Sequence, residues 1–162
     1  MKPAILVILS VVVTGCTAAT HRRVFDQETP KVVARAEAYI RSMEEKNYKQ
    51  AWTYLGTRMR EDTAPSSRNL EPGLTTEQYY FEYYNALQLV WRQIGPSKAK
   101  WISSGQGPFR QFIGLIETPV EIGQPASGLP IAKVLLETYW HHEFAEEGKN
   151  ANWFLVLEKM KK

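Results

Sequence analysis

Catalysis needs nucleophiles, acid–base pairs or metal ligands brought to one point, and this chain of 162 residues offers one cysteine and three histidines. The densest cluster is His141-His142-Glu143. It lies in a segment that reads as a strand, where neighbouring side chains point to opposite faces and cannot converge on one ion. The run HHEFAEE is also not the H-E-x-x-H of a helical zinc site, so no metal is expected. Ser103 and Ser104 have no spaced acid–histidine pair, which argues against a serine hydrolase. GQGPF, at 105–109, lacks the phosphate-loop pattern, precedes a strand, and reads as a turn. What remains is His142, on the apolar face of its strand, which could move a proton near neutral pH. Around it stand aromatic side chains able to line a pocket: Trp52, Tyr83, Trp91, Trp101 and Trp140. The same residues serve equally well as packing, with a core histidine bonded to a tyrosine or carbonyl. No set of them forms a catalytic constellation, so the expectation is a protein that is not an enzyme.

The single cysteine has a more specific reading. MKPAILVILSVVVTGC carries one positive charge, Lys2, then an apolar run from Pro3 to Val13 that is too short for a mature membrane span. A charged start, an apolar stretch and small residues describe a signal peptide over 1–15. Its end, Val13-Thr14-Gly15-Cys16, resembles the bacterial lipobox, in which cleavage after the small residue (here Gly15) leaves a lipidated cysteine as the new N-terminus. The resemblance implies a thioether-linked diacylglycerol and an N-acyl chain on Cys16, and no other cofactor. A lone thiol in an oxidising compartment has no disulfide partner, which agrees with this use. Several acyl chains together anchor stably, at about 0.8 kcal/mol per buried methylene. Thr17 is not the aspartate that commonly retains such proteins in an inner membrane, so in a didermic host the expected place is the periplasmic leaflet of the outer membrane.

Residues 16–29 then read as lipidated cysteine and tether, because TAATHRRVFDQET is polar and aperiodic. Thirteen residues reach at most about 45 Å. The domain, 30–162, therefore works near its membrane. Its formal net charge is small: +3 for the chain, and +2 once Met1 to Gly15 and with them Lys2 are removed. No basic stripe interleaves with aromatics, so nucleic acid is not an expected partner.

Helical periodicity comes first along this domain. Thr29 and Pro30 suit the N-cap and first position of a helix that buries Val33, Ala36, Ile40 and Met43 and breaks at Asn47. A second helix is expected over 48–60, a loop over 61–73, and a third helix over 74–94. The third opens on a Thr75–Gln78 capping box and stops at Gly95-Pro96. The period then changes to two. Strands are expected over 98–104, 109–122, 131–144 and 151–162, with turns or loops at 105–108, 123–130 and 146–150. In the third of these, Ala132 through Phe144 by twos form one face, His142 among them, and Ile131 through Glu143 by twos the other.

Three helices followed by four antiparallel strands make an α+β domain with helices on one sheet face. This order, with KNYKQAWTYLGTRMR and a tryptophan in the last strand, resembles the nuclear-transport-factor-2-like superfamily, whose curved sheet wraps a long helix to form a cone. WRQIGPSKAKWISS and LLETYWHHEF further resemble exported bacterial families of that fold with no assigned function. A cystatin- or ferredoxin-like layer is the competing arrangement. Isomerases and cyclases of the superfamily place an acid–base residue in the cone, but no residue here matches their motif. The resemblance also implies pairing of two copies through the sheet, by analogy alone. The leading expectation is a membrane-anchored envelope lipoprotein acting as a non-catalytic interaction module for an envelope protein partner. A carrier of a small apolar ligand is the alternative, and an isomerase- or dehydratase-like enzyme a third. Cys16→Ala is expected to move the protein from the membrane to the soluble fraction, and a variant that still sediments with membranes would refute the anchor.

Overall fold

The computed structural model describes residues 26–63, 74–104, 111–143 and 152–161. The leader, Cys16, the 64–73 part of the expected loop, and the expected turns at 105–108 and 146–150 lie outside them. The fold is α+β, with a curved antiparallel sheet of five strands covered on one face by helices.

Helix α1 runs over 26–44. It is already formed ahead of Thr29, so the expected cap and the last residues of the expected tether are helical. Pro30 is tolerated there because the one bond it forgoes within 26–44 is the first, to the Asp26 carbonyl. Val32, Ala36, Tyr39, Ile40 and Met43 are buried along one side. The helix closes with Lys46 in the left-handed region, φ 56°, and with Asn47 N–H donating to the Ser42 carbonyl at 2.8 Å. Asn47 then caps α2, Tyr48–Thr53, by accepting from the Gln50 N–H at 3.2 Å.

The expected second helix is in fact two. Leu55 leaves the helical path to pair with Leu155, with Gly56 N–H donating to the Leu155 carbonyl and Leu155 N–H to the Tyr54 carbonyl, both at 2.8 Å. Helix α3, Thr57–Thr63, follows and takes in the start of the expected loop. Burial of Leu55 and two backbone bonds at a sheet edge outweigh one turn of helix.

Helix α4, Thr76–Leu87, has both bonds of the capping box, at 2.8 and 3.2 Å. It ends seven residues before the sequence pattern does, at Gln88 with φ 47°. Val90–Gln93 is instead strand β1, paired with Gly123 to Val120. Val90, Trp91 and Ile94 suit a helical stripe, but Trp91 also fits a two-residue alternation, and pairing with a long central strand decides between them.

That central strand is β3, Gln111–Gln124. On one edge it holds β1 and then β2, Lys98–Ser104, end to end; on the other it holds β4, Leu129–Glu143, which in turn pairs with β5, Asn152–Lys161. A proline in a doubly paired strand needs an explanation. The Pro119 carbonyl accepts from Ile94 N–H at 3.0 Å, so its missing N–H points to the same edge. There the neighbouring strand is itself interrupted, at Gly95-Pro96, and Ser97 Oγ and Thr118 Oγ1 bridge the gap at 2.9 Å. The β4 ladder loses nothing.

On the covered face Trp91, Ile116, Val120, Leu136, Trp140, Trp153 and Leu155 meet α1, α2 and α4 in one core. Arg35 pins α1 to this layer, its Nε donating to the Trp153 carbonyl at 2.7 Å while its guanidinium lies over Tyr54 and Phe154. The β3–β4 turn is tight, with a 3-10 turn at Pro125–Ser127 and Gly128 at φ 79°. Just before it, a Cβ on Gly123 would lie 2.7 Å from the Ile131 Cα and 2.9 Å from its nitrogen, backbone atoms that cannot rotate aside. Gly123→Ala is therefore expected to lower stability by about 1–3 kcal/mol, seen as a lower urea midpoint at unchanged m-value. An unchanged midpoint would show that the β3–β4 approach is not tight.

Candidate functional site

The group best placed for proton chemistry is Glu158, a residue that periodicity alone assigns to the wrong face. Along β5 the residues Trp153 and Leu155 face the helices. Without interruption Leu157 would follow them and Glu158 would face solvent. The β4–β5 ladder, however, pairs Trp140 with Leu155 and Tyr139 with Leu157, leaving Val156 as an extra residue. This bulge turns Glu158 inward, opposite Thr138, toward α1 and α4.

Three tyrosines gather around it, and a fourth packs on them. Tyr39, on the buried stripe of α1, donates to Glu158 Oε2 at 3.0 Å. Tyr80 and Tyr84 stand one turn apart on α4 with ring centroids 4.6 Å apart, and Tyr48 of α2 lies 5.8 Å from Tyr84. Burial raises the Glu158 carboxyl above the ordinary carboxylate range, and the Tyr39 bond pulls it partly back. Burial also raises Tyr39, Tyr80, Tyr84 and Tyr48, and the Glu158 charge raises the first three further. The phenols are thus neutral donors beside a carboxyl reluctant to ionise. In principle that is an acid–base couple with an oxyanion-stabilising shell. In this structure both deepest hydroxyls are occupied: Tyr39 by Glu158, and Tyr80 by the Met43 sulfur at 3.5 Å.

The aromatic side chains singled out from sequence divide among several fates. Trp140 is fully buried, its Nε1 donating to Thr138 Oγ1 at 2.9 Å. Trp52 is buried with its ring centroid 5.2 Å from Tyr80, and the Arg60 guanidinium lies over it at 5.3 Å. Trp91 is buried, from β1 and not from the expected helix, and its Nε1 finds no acceptor among the described residues. Trp101 is half-buried in a row with Gly114 and Trp140. Tyr83 does not join them. It is 46% exposed and stacks on Tyr79, because the inward side of α4 is taken by Tyr80 and Tyr84. His142 occupies a covered-face position opposite Trp153, and its side chain lies outside the described residues. Among the described residues no cluster of His, Cys, Asp and Glu could hold a metal ion, and no helix is long and apolar enough to cross a membrane.

The open face of the sheet carries a second titratable cluster. Lys98, Glu117, Glu137 and Lys159 form one row across four strands. Lys100 Nζ lies 2.7 Å from Glu117 Oε1, while Lys161 and the Tyr139 hydroxyl, the latter at 2.9 Å, both hold Glu137. Glu137 is 1% exposed although it lies on the open side of the sheet. Neighbouring side chains shield it, not depth, so the Lys161 bond outweighs desolvation and lowers its carboxyl, while Glu137 in turn raises Lys161. Alternation along the sequence puts Glu137 on the face opposite His142 but does not pair it or Glu117 with lysines from β2 and β5. That pairing is a matter of register.

Comparison with family models, curated proteins and solved structures finds no match for this chain. The residues themselves therefore carry the functional argument. The two glutamates predict opposite pH responses. Native Glu158 holds its proton to higher pH than the unfolded chain does, so its contribution to stability falls as pH rises from about 4 through the raised value. Glu158→Gln should therefore gain stability over the parent at about pH 7 relative to about pH 4, by urea unfolding at both. Glu137 works the other way: its contribution is present above the unfolded carboxylate range and is lost as pH falls through its lowered value. A Glu158→Gln variant with the parent's pH slope would show that Glu158 is solvated in the native state.

Proposed function

We propose that this chain is a lipid-anchored bacterial envelope protein whose domain is a non-catalytic interaction module working close to its membrane. On this reading the domain is of the nuclear-transport-factor-2-like kind, and its partner is another component of the envelope. One observation carries the proposal. The space between helices and sheet, where a carrier or enzyme of that architecture would hold its ligand, is occupied by Tyr39, Trp52, Tyr80, Trp140 and Trp153, each 9% exposed or less. The groups there that could do chemistry are engaged with one another. The lipobox-like Cys16 and the short segment after it supply the membrane part of the reading.

A second reading, a carrier or acid–base enzyme, is favoured by Glu158, whose carboxyl burial raises beside phenols that burial also raises. The two separate on occupancy. Native mass spectrometry of the mature protein released from membranes in detergent, compared with the denatured sample, is expected to show the lipidated chain alone. An added small-molecule mass that is lost on denaturation, and lost again in Glu158→Gln, would overturn the interaction module in favour of the second reading. His142→Gln is expected to leave the folded protein's biological role intact.

A further inference from the structure

The open face of the sheet has a charge distribution that the chain's modest net charge conceals. Between the row through Arg92 and Lys133 and the row through Lys100 and Leu157, strand alternation and register bring six cations to this face: Arg92, Lys98, Lys100, Lys133, Lys159 and Lys161. Three carboxylates accompany them, Glu117, Glu121 and Glu137. The excess of three over these rows equals the formal net charge of the whole chain, +3. The two signs also sit at different depths. All six cations are exposed, whereas Glu117 and Glu137 are buried and Glu121 is half-buried. Lys100 and Lys161 cap two of the carboxylates, and Arg92, Lys98 and Lys133 have no ion-pair partner among the described residues. Seen from outside, the face is positive. Exposed apolar side chains stand among the cations: Val90, Ile131 and Leu157, at 38%, 49% and 42%.

We infer that this face docks on an anionic lipid surface, an inference that rests on the lipid anchor proposed above. Exposed lysines on long apolar stems, interspersed with aliphatic side chains, match the headgroup boundary, where the ammonium groups meet phosphates and the aliphatics meet the acyl edge. Chain length agrees. From Cys16 to the described start of α1 at residue 26 there are ten residues, reaching at most about 35 Å. So short a leash keeps the face at high effective concentration over the lipid, and a modest attraction suffices. A second copy of this chain does not suit the face, since two such faces would set exposed lysines against lysines. The recessed Lys98–Glu117–Glu137–Lys159 row then has a function: it holds carboxylates below the surface while spreading cations over four strands.

The mature protein allows a direct test, because lipidation blocks Cys16 and an introduced cysteine becomes the single labelling site. A fluorophore at Leu157→Cys, on the face, is compared with one at exposed Glu45→Cys, in the turn that follows α1, in vesicles carrying a headgroup-linked quencher. In phosphatidylglycerol vesicles at low salt, quenching at 157 is expected to exceed that at 45 several-fold. The difference should vanish in pure phosphatidylcholine, in about 1 M salt, where screening falls to ~3 Å, and in Lys98→Gln/Lys133→Gln/Lys159→Gln. Equal quenching at the two sites in anionic vesicles would overturn the inference. So would a difference that survives neutral lipid, salt or the triple variant. Binding of polyglutamate by protein that shows no vesicle contrast would also overturn it, in favour of an acidic protein surface. Failure of the anchor itself reads separately, as a Cys16 peptide without lipid mass and protein that does not float with vesicles.

Discussion

Strand β3, Gln111–Gln124, is hydrogen-bonded along both edges, and the other parts of the fold take their places from that constraint. A strand paired on both sides cannot slip by one residue without sending a whole apolar set to the wrong face. Its even-numbered residues Ile116, Thr118 and Val120 are fully buried under the helices, and this parity dictates which face of every neighbour turns inward. The one residue at odds with double pairing, Pro119, spends its missing donor where the edge strand is broken by Gly95-Pro96. Two local defects coincide, and the interior ladder remains continuous.

The sheet separates two electrostatic environments that use the same side chain in opposite ways. Under the helices, Glu158 has no ion pair among the described residues and lies beside phenols, so desolvation dominates and raises its carboxyl. On the open face, Glu137 is shielded by a single layer of side chains that includes Lys161, and the charge-assisted bond dominates and favours its ionised form. The exposed cations Arg92, Lys98, Lys100, Lys133, Lys159 and Lys161 lie on the open face.

Much of this was legible in the residues. The capping box at Thr75 and Gln78, the break at Asn47 and the alternation along β4 appear where local pattern puts them, because capping chemistry and side-chain parity act over a few residues. The aromatic residues proposed to line a pocket fall in different places. Trp52, Trp91 and Trp140 lie in the core, while Tyr83 turns outward because Tyr80 and Tyr84 compete for the same side of α4. Glu158 and its partner Tyr39 were missed: strict alternation from Trp153 and Leu155 leaves Glu158 outside, and one unpaired residue, Val156, reverses that parity.

The sequence by itself determined the class of the fold, its order of helices then strands, and the types of side chain available on each face. Tertiary structure alone decided three things. Val90–Gln93 became a strand, Leu55 left its helix to pair with Leu155, and Val156 became a bulge. The first two have one physical cause, whereas the bulge leaves Val156 without a β4 partner. A backbone donor or acceptor at a sheet edge is satisfied by whichever strand reaches it, and that partner, distant in sequence, overrides local periodicity when the bonds it offers are buried.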